Sequence, residues 1–269
     1  MWKKICILTL VLISVFVLYA QEDKDIIPQI NKSDRIVGED QTISTPFFAG
    51  ALGWTFPFGE MGDRYKSFFN VDANLGWKTK GNWLYILDFC FQFGNNNVKN
   101  LDGILSNLMT KDSNPFIVSN EGTDAGVVAY SRNLSLSFGV GKIFPLWFSN
   151  PNSGLAITFN IGYLQHQIIY QSTLGRVPQL EDDYAYGYDR QMRGYMLSVF
   201  FGYMHMSKKS YANWYAGVQG YMAKTKMSRE YQFDLMSGDN NRYTDYMLSL
   251  KVGWMFPFFG RKADKIYFF

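Results

Sequence analysis

Residues 67–94, SFFNVDANLGWKTKGNWLYILDFCFQFG, hold two alternating runs on either side of a four-residue turn segment. In the first run Phe69, Val71, Ala73, Leu75 and Trp77 alternate with Asn70, Asp72, Asn74 and Gly76. In the second, Trp83, Tyr85, Leu87, Phe89, Phe91 and Phe93 fill every other position. Successive side chains of a strand point to opposite faces, whereas a helix brings together positions three and four apart. Period two over this length predicts two strands, Ser67–Lys78 and Trp83–Gly94, each with one large apolar face and one small or polar face.

The same pattern extends in both directions. Phe47–Phe58 places Phe48, Gly50, Leu52, Trp54 and Phe56 opposite Ala49, Ala51, Gly53 and Thr55. Downstream, Leu134–Ile143, Ala156–Tyr170, Tyr195–Met206, Trp214–Lys226 and Tyr246–Phe256 read as five further strands. Ala156–Tyr170 loses phase near Gln165, where a bulge is expected. Trp214–Lys226 is the least clear, because both its faces carry aromatic residues. The connections alternate in length. Thr79–Asn82, Ser149–Ser153 and Ser207–Asn213 are short, while Gly59–Lys66, Asn95–Asn133, Gln171–Gly194 and Met227–Asp245 are longer. Trp77, Trp83, Trp147, Trp214 and Trp254 all fall beside the short connections, as an aromatic girdle at one membrane interface would.

Charge placement distinguishes a membrane barrel from a water-soluble one. A water-facing strand surface carries Lys and Glu, yet Glu occurs in none of the eight predicted strands. The charges well inside them, Asp72, Asp88 and Lys251, all lie on the small polar face. The large aromatic face suits lipid and the small face suits a lumen. Closing the sheet would also pair every backbone N–H and C=O, as hydrocarbon requires. The composition agrees: 47% hydrophobic and 18% aromatic, with Phe 23 and Tyr 18, against 18% charged.

Residues 1–20 read as a signal peptide: Lys3 and Lys4, then an uncharged run from Ile5 to Tyr19, with Ala20 before Gln21. Without them the balance is 24 basic to 23 acidic residues, which gives no electrostatic reason to expect nucleic acid. Cys6 falls within this segment, so Cys90 has no intramolecular disulfide partner. Residues 21–46 read as a flexible periplasmic leader, 47–258 as the barrel and 259–269 as a periplasmic tail. The fold class expected is an eight-stranded antiparallel up-and-down transmembrane β-barrel with long extracellular loops.

The alternating strands, the signal peptide, the loop asymmetry and the terminal Phe269 resemble the small OmpA/OmpX-like outer-membrane barrels over about Phe47–Phe269. The resemblance is architectural and implies a fold and a location, with little chemistry. It departs from the family at the end, where Gly260–Lys265 separates the last good strand from Ile266–Phe269.

Catalytic residues are scarce. There is no phosphate loop, paired-His zinc motif or spaced Cys cluster, and only His166 and His205 are present. His205 with Ser207 resembles the spacing in outer-membrane lipid A deacylases, but Lys208 replaces the expected Asn and both lie at the periplasmic end. An interfacial His beside a turn Ser is the simpler expectation. His166, between Gln165 and Gln167, is expected to be a hydrogen-bonded rim residue. The stretch Glu181–Arg190, with Asp182, Asp183, Tyr186, Tyr188, Asp189 and Arg190, is either a binding loop or a solvated loop packed on its neighbours. The Asp spacing matches no calcium loop, and no cofactor, metal or catalytic residue is expected. Asp72, Asp88 and Lys251 are expected to form an ion network in the lumen. The sequence therefore points to a non-enzymatic outer-membrane barrel, an accessory subunit or surface-interaction protein. Its partners would be outer-membrane lipid, lipopolysaccharide and other outer-membrane or periplasmic proteins. The alternatives are a lipid A-modifying hydrolase and a narrow transport channel.

Overall fold

The structure, a computed structural model, describes residues 42–145, 150–207 and 213–258. The expected signal peptide, most of the leader, Trp147, Lys208 and the C-terminal tail lie outside the described residues. Eight strands are present: β1 (Thr45–Phe58), β2 (Phe68–Lys78), β3 (Trp83–Gly94), β4 (Val127–Phe144), β5 (Gly154–Ser172), β6 (Met192–His205), β7 (Trp214–Met227) and β8 (Arg242–Pro257). Each pairs antiparallel with the next, and β8 pairs with β1 to close the ring. Two short helices, α1 (Gly59–Arg64) and α2 (Leu101–Ile104), lie in the first two long connections.

The faces are as the alternation requires. Leu52, Leu75, Trp77, Phe138, Phe159, Ile161, Leu197 and Val252 point outward and are exposed. Asn70, Asp72, Asn74, Asp88, Ser135, Ser137, Asn160, Ser198, Ser249 and Lys251 point inward and are buried. Tyr215 and Tyr221 explain the aromatic residues on both faces of β7: they fill the interior, while Trp214 and Met222 face out.

Two expectations are corrected. The strands run further toward the long-loop end than the hydropathy pattern suggested. β4 begins at Val127 rather than Leu134, β6 at Met192 rather than Tyr195 and β8 at Arg242 rather than Tyr246. There is also no bulge in β5 near Gln165, because its pairing with β4 and β6 continues without a skipped residue. Both differences have one cause. Toward the long-loop end the outward side chains become polar (Gln165, Gln167, Arg193), while inward ones become apolar (Leu164, Ile168, Met192). Hydropathy inverts its phase there while the backbone keeps its register.

The interior is therefore layered. At the short-turn end Phe47, Leu84, Ile143, Phe200, Met204 and Met255 form one apolar cluster. At the long-loop end α1, α2 and the loops pack Met61, Tyr65, Val98, Leu105, Val177 and Tyr188 over Phe68, Leu164 and Ile168. The polar layer lies between them. The short-turn end is also tied from outside. Buried Lys78 donates to the Ile43 carbonyl at 3.0 Å and to Asn152 Oδ1 at 2.9 Å, and Ile43 N–H donates to the same Asn152 oxygen.

Candidate functional site

The polar layer begins at β1. β2 and β8 flank this strand, so the inward side chains of Asp72 and Lys251 converge across it. Gly53, paired with both Asn70 and Lys251, leaves the space: a Cβ there would meet the Leu250 carbonyl oxygen at 2.5 Å and the Asn70 amide at 2.7 Å. Lys251 Nζ lies 2.8 Å from Asp72 Oδ2, with side-chain exposures of 3% and 0%. Asn70 Nδ2 donates to the same carboxylate oxygen at 3.1 Å. The hydroxyls of Thr55 and Ser249 lie 3.0 and 3.2 Å from Asn70 Oδ1 and 3.0 Å from each other. The Lys251 ammonium also sits 5.5 Å from the centre of the Tyr221 ring.

Asp88 takes a different place. It pairs in register with Asn74 and Ser137, and its Oδ1 has no hydrogen-bond partner among the described residues. It lines a cavity of about 40 Å³ with Asn74, Thr158, Asn160, Tyr215 and Lys251, whose wall also includes the apolar Phe47, Ile86, Phe200 and Met204. The structure thus joins Asp72 to Lys251 directly, and Asp88 and Lys251 both line this cavity.

A second polar cluster lies beneath the apolar cap. His166 is fully buried, with Nε2 3.4 Å from Asp245 Oδ2 and Nδ1 3.3 Å from the Tyr65 hydroxyl. Thr225 Oγ1 donates to Asp245 Oδ2 at 2.6 Å. Burial holds the Tyr65 phenol well above its usual range. His166 is hydrogen-bonded, as expected, but it lies inside the barrel rather than on its rim. The rim stands higher because β4 and β5 continue past it. Asp245 reads as loop in the sequence, and only the ring closure shows that it points inward.

The Glu181–Arg190 stretch is divided. Asp182, Asp183, Tyr184 and Tyr186 are exposed. Tyr188 and Asp189 are each only 6% exposed, so this part of the stretch packs on its neighbours. Tyr188 packs edge-on against Phe233 at 5.4 Å. Asp189 accepts from Arg229 Nε at 3.1 Å and from the Gln191 N–H at 3.1 Å, and Arg190 is ion-paired to Asp234. These contacts join the loop 173–191 to the loop 228–241. Arg229 continues outward over the Tyr186 ring, 4.3 Å from its centre. Among the described residues no group of His, Cys, Asp and Glu could hold a metal.

At the opposite end Trp77, Trp83, Trp214 and Trp254 are all exposed on the outward face, with Trp214 and Trp254 paired across β7 and β8. His205 sits among them, its ring 5.9 Å from Trp214 and 6.5 Å from Tyr203. Ser207 N–H donates to Asn213 Oδ1 at 2.6 Å. His205 thus stands in an aromatic cluster at the short-turn end.

No family model and no curated protein matches this sequence. Solved structures do. The attachment invasion locus protein Ail of Yersinia pestis matches at 9% identity over 79% of this chain and 97% of its own, with a TM-score of 0.39. A major outer membrane protein from Thermus thermophilus matches at 11% identity, over 79% of this chain and 99% of its own, with a TM-score of 0.39. OprG from Pseudomonas aeruginosa matches at 11% identity, over 80% and 97%, with a TM-score of 0.36. All three are small eight-stranded outer-membrane barrels. At these identities and TM-scores the likeness carries no argument, and the eight-stranded ring rests on this chain's own strand pairing.

Proposed function

We propose that the chain is an integral outer-membrane protein that acts through its surfaces, without catalysis, as an accessory subunit or surface-interaction barrel. The observation that carries this reading is the inversion of its two faces. The outward surface of the ring exposes Phe48, Leu52, Phe89, Phe138, Phe159, Ile161, Leu197, Leu250 and Val252, while the charges at mid-strand are inside. Water-soluble monomers rarely expose apolar patches beyond a few hundred Å². Hydrocarbon accepts such a surface and requires the closed ring that satisfies the backbone. In this reading the Trp-rich end faces the periplasm, both chain termini lie there, and the long loops face the cell exterior.

An eight-stranded interior is just wide enough for side chains to fill it. Here two apolar layers bracket the Asp72–Lys251 layer, which supports a closed barrel over a conducting one. The exposed part of the outer loops, Asp182, Asp183, Tyr184 and Tyr186, offers aromatic and acidic contacts on a base made rigid by Arg190–Asp234 and Arg229–Asp189. A subunit of an outer-membrane assembly or secretion machine would use such a base to hold its partner. Purification of the tagged chain from native outer membranes, with and without the Tyr184→Ala, Tyr186→Ala change, tests this reading. Loss of a co-purifying protein is expected, and an unchanged set of associated proteins would remove the loop as the interface. Single-channel recording on the purified chain should show no stable conductance.

A further inference from the structure

The outward face of the barrel changes character at the long-loop end of β6, β7 and β8. Arg193 pairs in register with Lys226, and Lys226 pairs with Arg242, so three cations stand side by side across three strands. Lys224 lies on the same face one step lower, between Tyr195 and Thr244. All four are exposed. Directly opposed side chains in an antiparallel pair have Cβ atoms about 4.5–5.5 Å apart, where like charges are destabilising. The fold accepts this repulsion three residues wide.

None of the four cations forms an ion pair with a carboxylate among the described residues. The inward-facing acids of the strands are Asp72, Asp88 and Asp245, and the ion pairs among the described residues use other cations. The nearby acids outside the strands accept other hydrogen bonds beside the row or lie in the loop, and pair with none of its cations. Glu60 accepts the Thr244 N–H at 2.8 Å, and Asp239 accepts the Tyr243 hydroxyl at 2.5 Å and the Asn241 N–H at 2.9 Å. Glu230 is exposed in the loop above.

The position of the row is as informative as its charge. Immediately below it the outward residues are Tyr195, Leu197, Met222 and Tyr246, at 82%, 56%, 40% and 44% exposure. The cations therefore stand at the upper edge of the apolar band, at the height of lipid headgroups. They are also confined to one side. The corresponding ends of β2 and β3 carry Phe69, Phe91 and Phe93, and on β4 Arg132 stands apart, paired in register with Phe93 and Gln167. A general solubilising rim would not be so one-sided.

We propose that this row is a binding site for the phosphate groups of lipopolysaccharide in the outer leaflet. The proposal rests on the outer-membrane placement argued above. Phosphate supplies the missing anion, and Arg193 and Arg242 can each meet it with two parallel N–H donors. A headgroup that carries several phosphates on one saccharide engages neighbouring cations together, and the second contact is then intramolecular. Tyr195 and Leu197 below are placed to lie along the acyl chains. Binding would replace the repulsion between the cations by attraction to a shared anion.

The test uses the full mature chain refolded in neutral detergent micelles, with lipopolysaccharide added as the probe. Binding and thermal unfolding are compared for the parent and for the Arg193→Gln, Lys226→Gln, Arg242→Gln variant. Lipopolysaccharide should raise the unfolding temperature of the parent, and the triple variant should bind at least tenfold more weakly. Without lipopolysaccharide the triple variant should unfold at or above the parent's temperature, because its repulsion is gone. Arg132→Gln should leave binding unchanged, and Lys226→Gln alone should give an intermediate loss if the triple variant fails to refold. Equal binding by parent and triple variant overturns the proposal. Dephosphorylated lipopolysaccharide that binds as well as the intact form overturns the phosphate assignment, and phosphatidylglycerol of equal effect overturns the assignment to lipopolysaccharide. A heat-dependent shift in gel mobility checks separately that both proteins form the barrel, so its absence would count against the membrane reading itself.

Discussion

Replacing Lys251 by Met would break the Asp72–Lys251 ion pair inside the barrel. The ammonium is 2.8 Å from Asp72 Oδ2 and the two side chains are 3% and 0% exposed. At that separation the attraction is about 6 kcal/mol for an effective dielectric near 20. Desolvation costs several kcal/mol for each ion, roughly offsetting the attraction, so the intact pair adds little net stability. Breaking it is different. After Lys251→Met, Asp72 keeps the Asn70 amide at 3.1 Å, and its Oδ1 has no hydrogen-bond partner among the described residues. An uncompensated buried charge of this kind costs about 3–5 kcal/mol. Adding Asp72→Asn removes the stranded charge, so the double variant should recover part of the loss, with a coupling energy of about 2–3 kcal/mol. Asp88→Asn should couple more weakly to Lys251→Met, since the ammonium's ion pair is with Asp72. The assay is equilibrium urea unfolding of the proteins in lipid vesicles, read by Trp fluorescence and by the fraction with folded gel mobility. Single losses that add to within about 0.5 kcal/mol in the double variant would refute the coupling, and would mean that water reaches each charge separately.

Gly53→Ala should destabilise the barrel by about 1–3 kcal/mol, because the new Cβ meets the Leu250 carbonyl oxygen at 2.5 Å. Gly220→Ala, with nothing within 4 Å of its added Cβ, should leave the urea midpoint unchanged. Asp234→Asn should loosen the loops 173–191 and 228–241, seen as faster cleavage there by added protease with no change in the barrel's unfolding midpoint. Burial raises the Tyr65 phenol above its ordinary value of 10.0, so its contribution to the cap is full below pH 10 and falls as the pH rises through that value. Cleavage within 95–126 should therefore accelerate only above about pH 10 in the parent, and less so in Tyr65→Phe. An identical acceleration in both would mean that other groups open the cap.

How much was legible in the sequence differs by level within the barrel. β3 was legible to the residue, because its outward face stays aromatic from Trp83 to Phe93. β4 was not: Val127–Asn133 lies where Arg132 faces out and Ala129 faces in, so no period-two contrast marks it. The juxtaposition of Asp72 and Lys251 could be anticipated, since each is a lone charge on the small face of an apolar strand and β8 must meet β1. The buried His166–Asp245 contact could not, because 79 residues separate the two and Asp245 stands where the pattern has already inverted. Tyr188, Asp189 and Arg190 read as surface for a related reason. Their partners Phe233, Arg229 and Asp234 belong to another loop, which local composition does not reveal. The cation row on β6–β8 was hidden by strand boundaries set too short: Arg193, Lys226 and Arg242 count as opposed neighbours only once the register is known.

The central claim, a barrel inserted in the outer membrane with its long loops outside, is tested most directly by labelling single cysteines in intact cells. Cys90 is buried and should stay silent. Tyr184→Cys places a thiol on the exposed part of the loop 173–191, and Lys80→Cys places one in the exposed turn between β2 and β3. A membrane-impermeant maleimide should label the Tyr184→Cys protein in intact cells. It should reach the Lys80→Cys protein only after the outer membrane is permeabilised, and both proteins should be recovered in the outer-membrane fraction. Labelling of Lys80→Cys alone in intact cells would invert the topology, and recovery of either protein in the soluble periplasm would contradict the account.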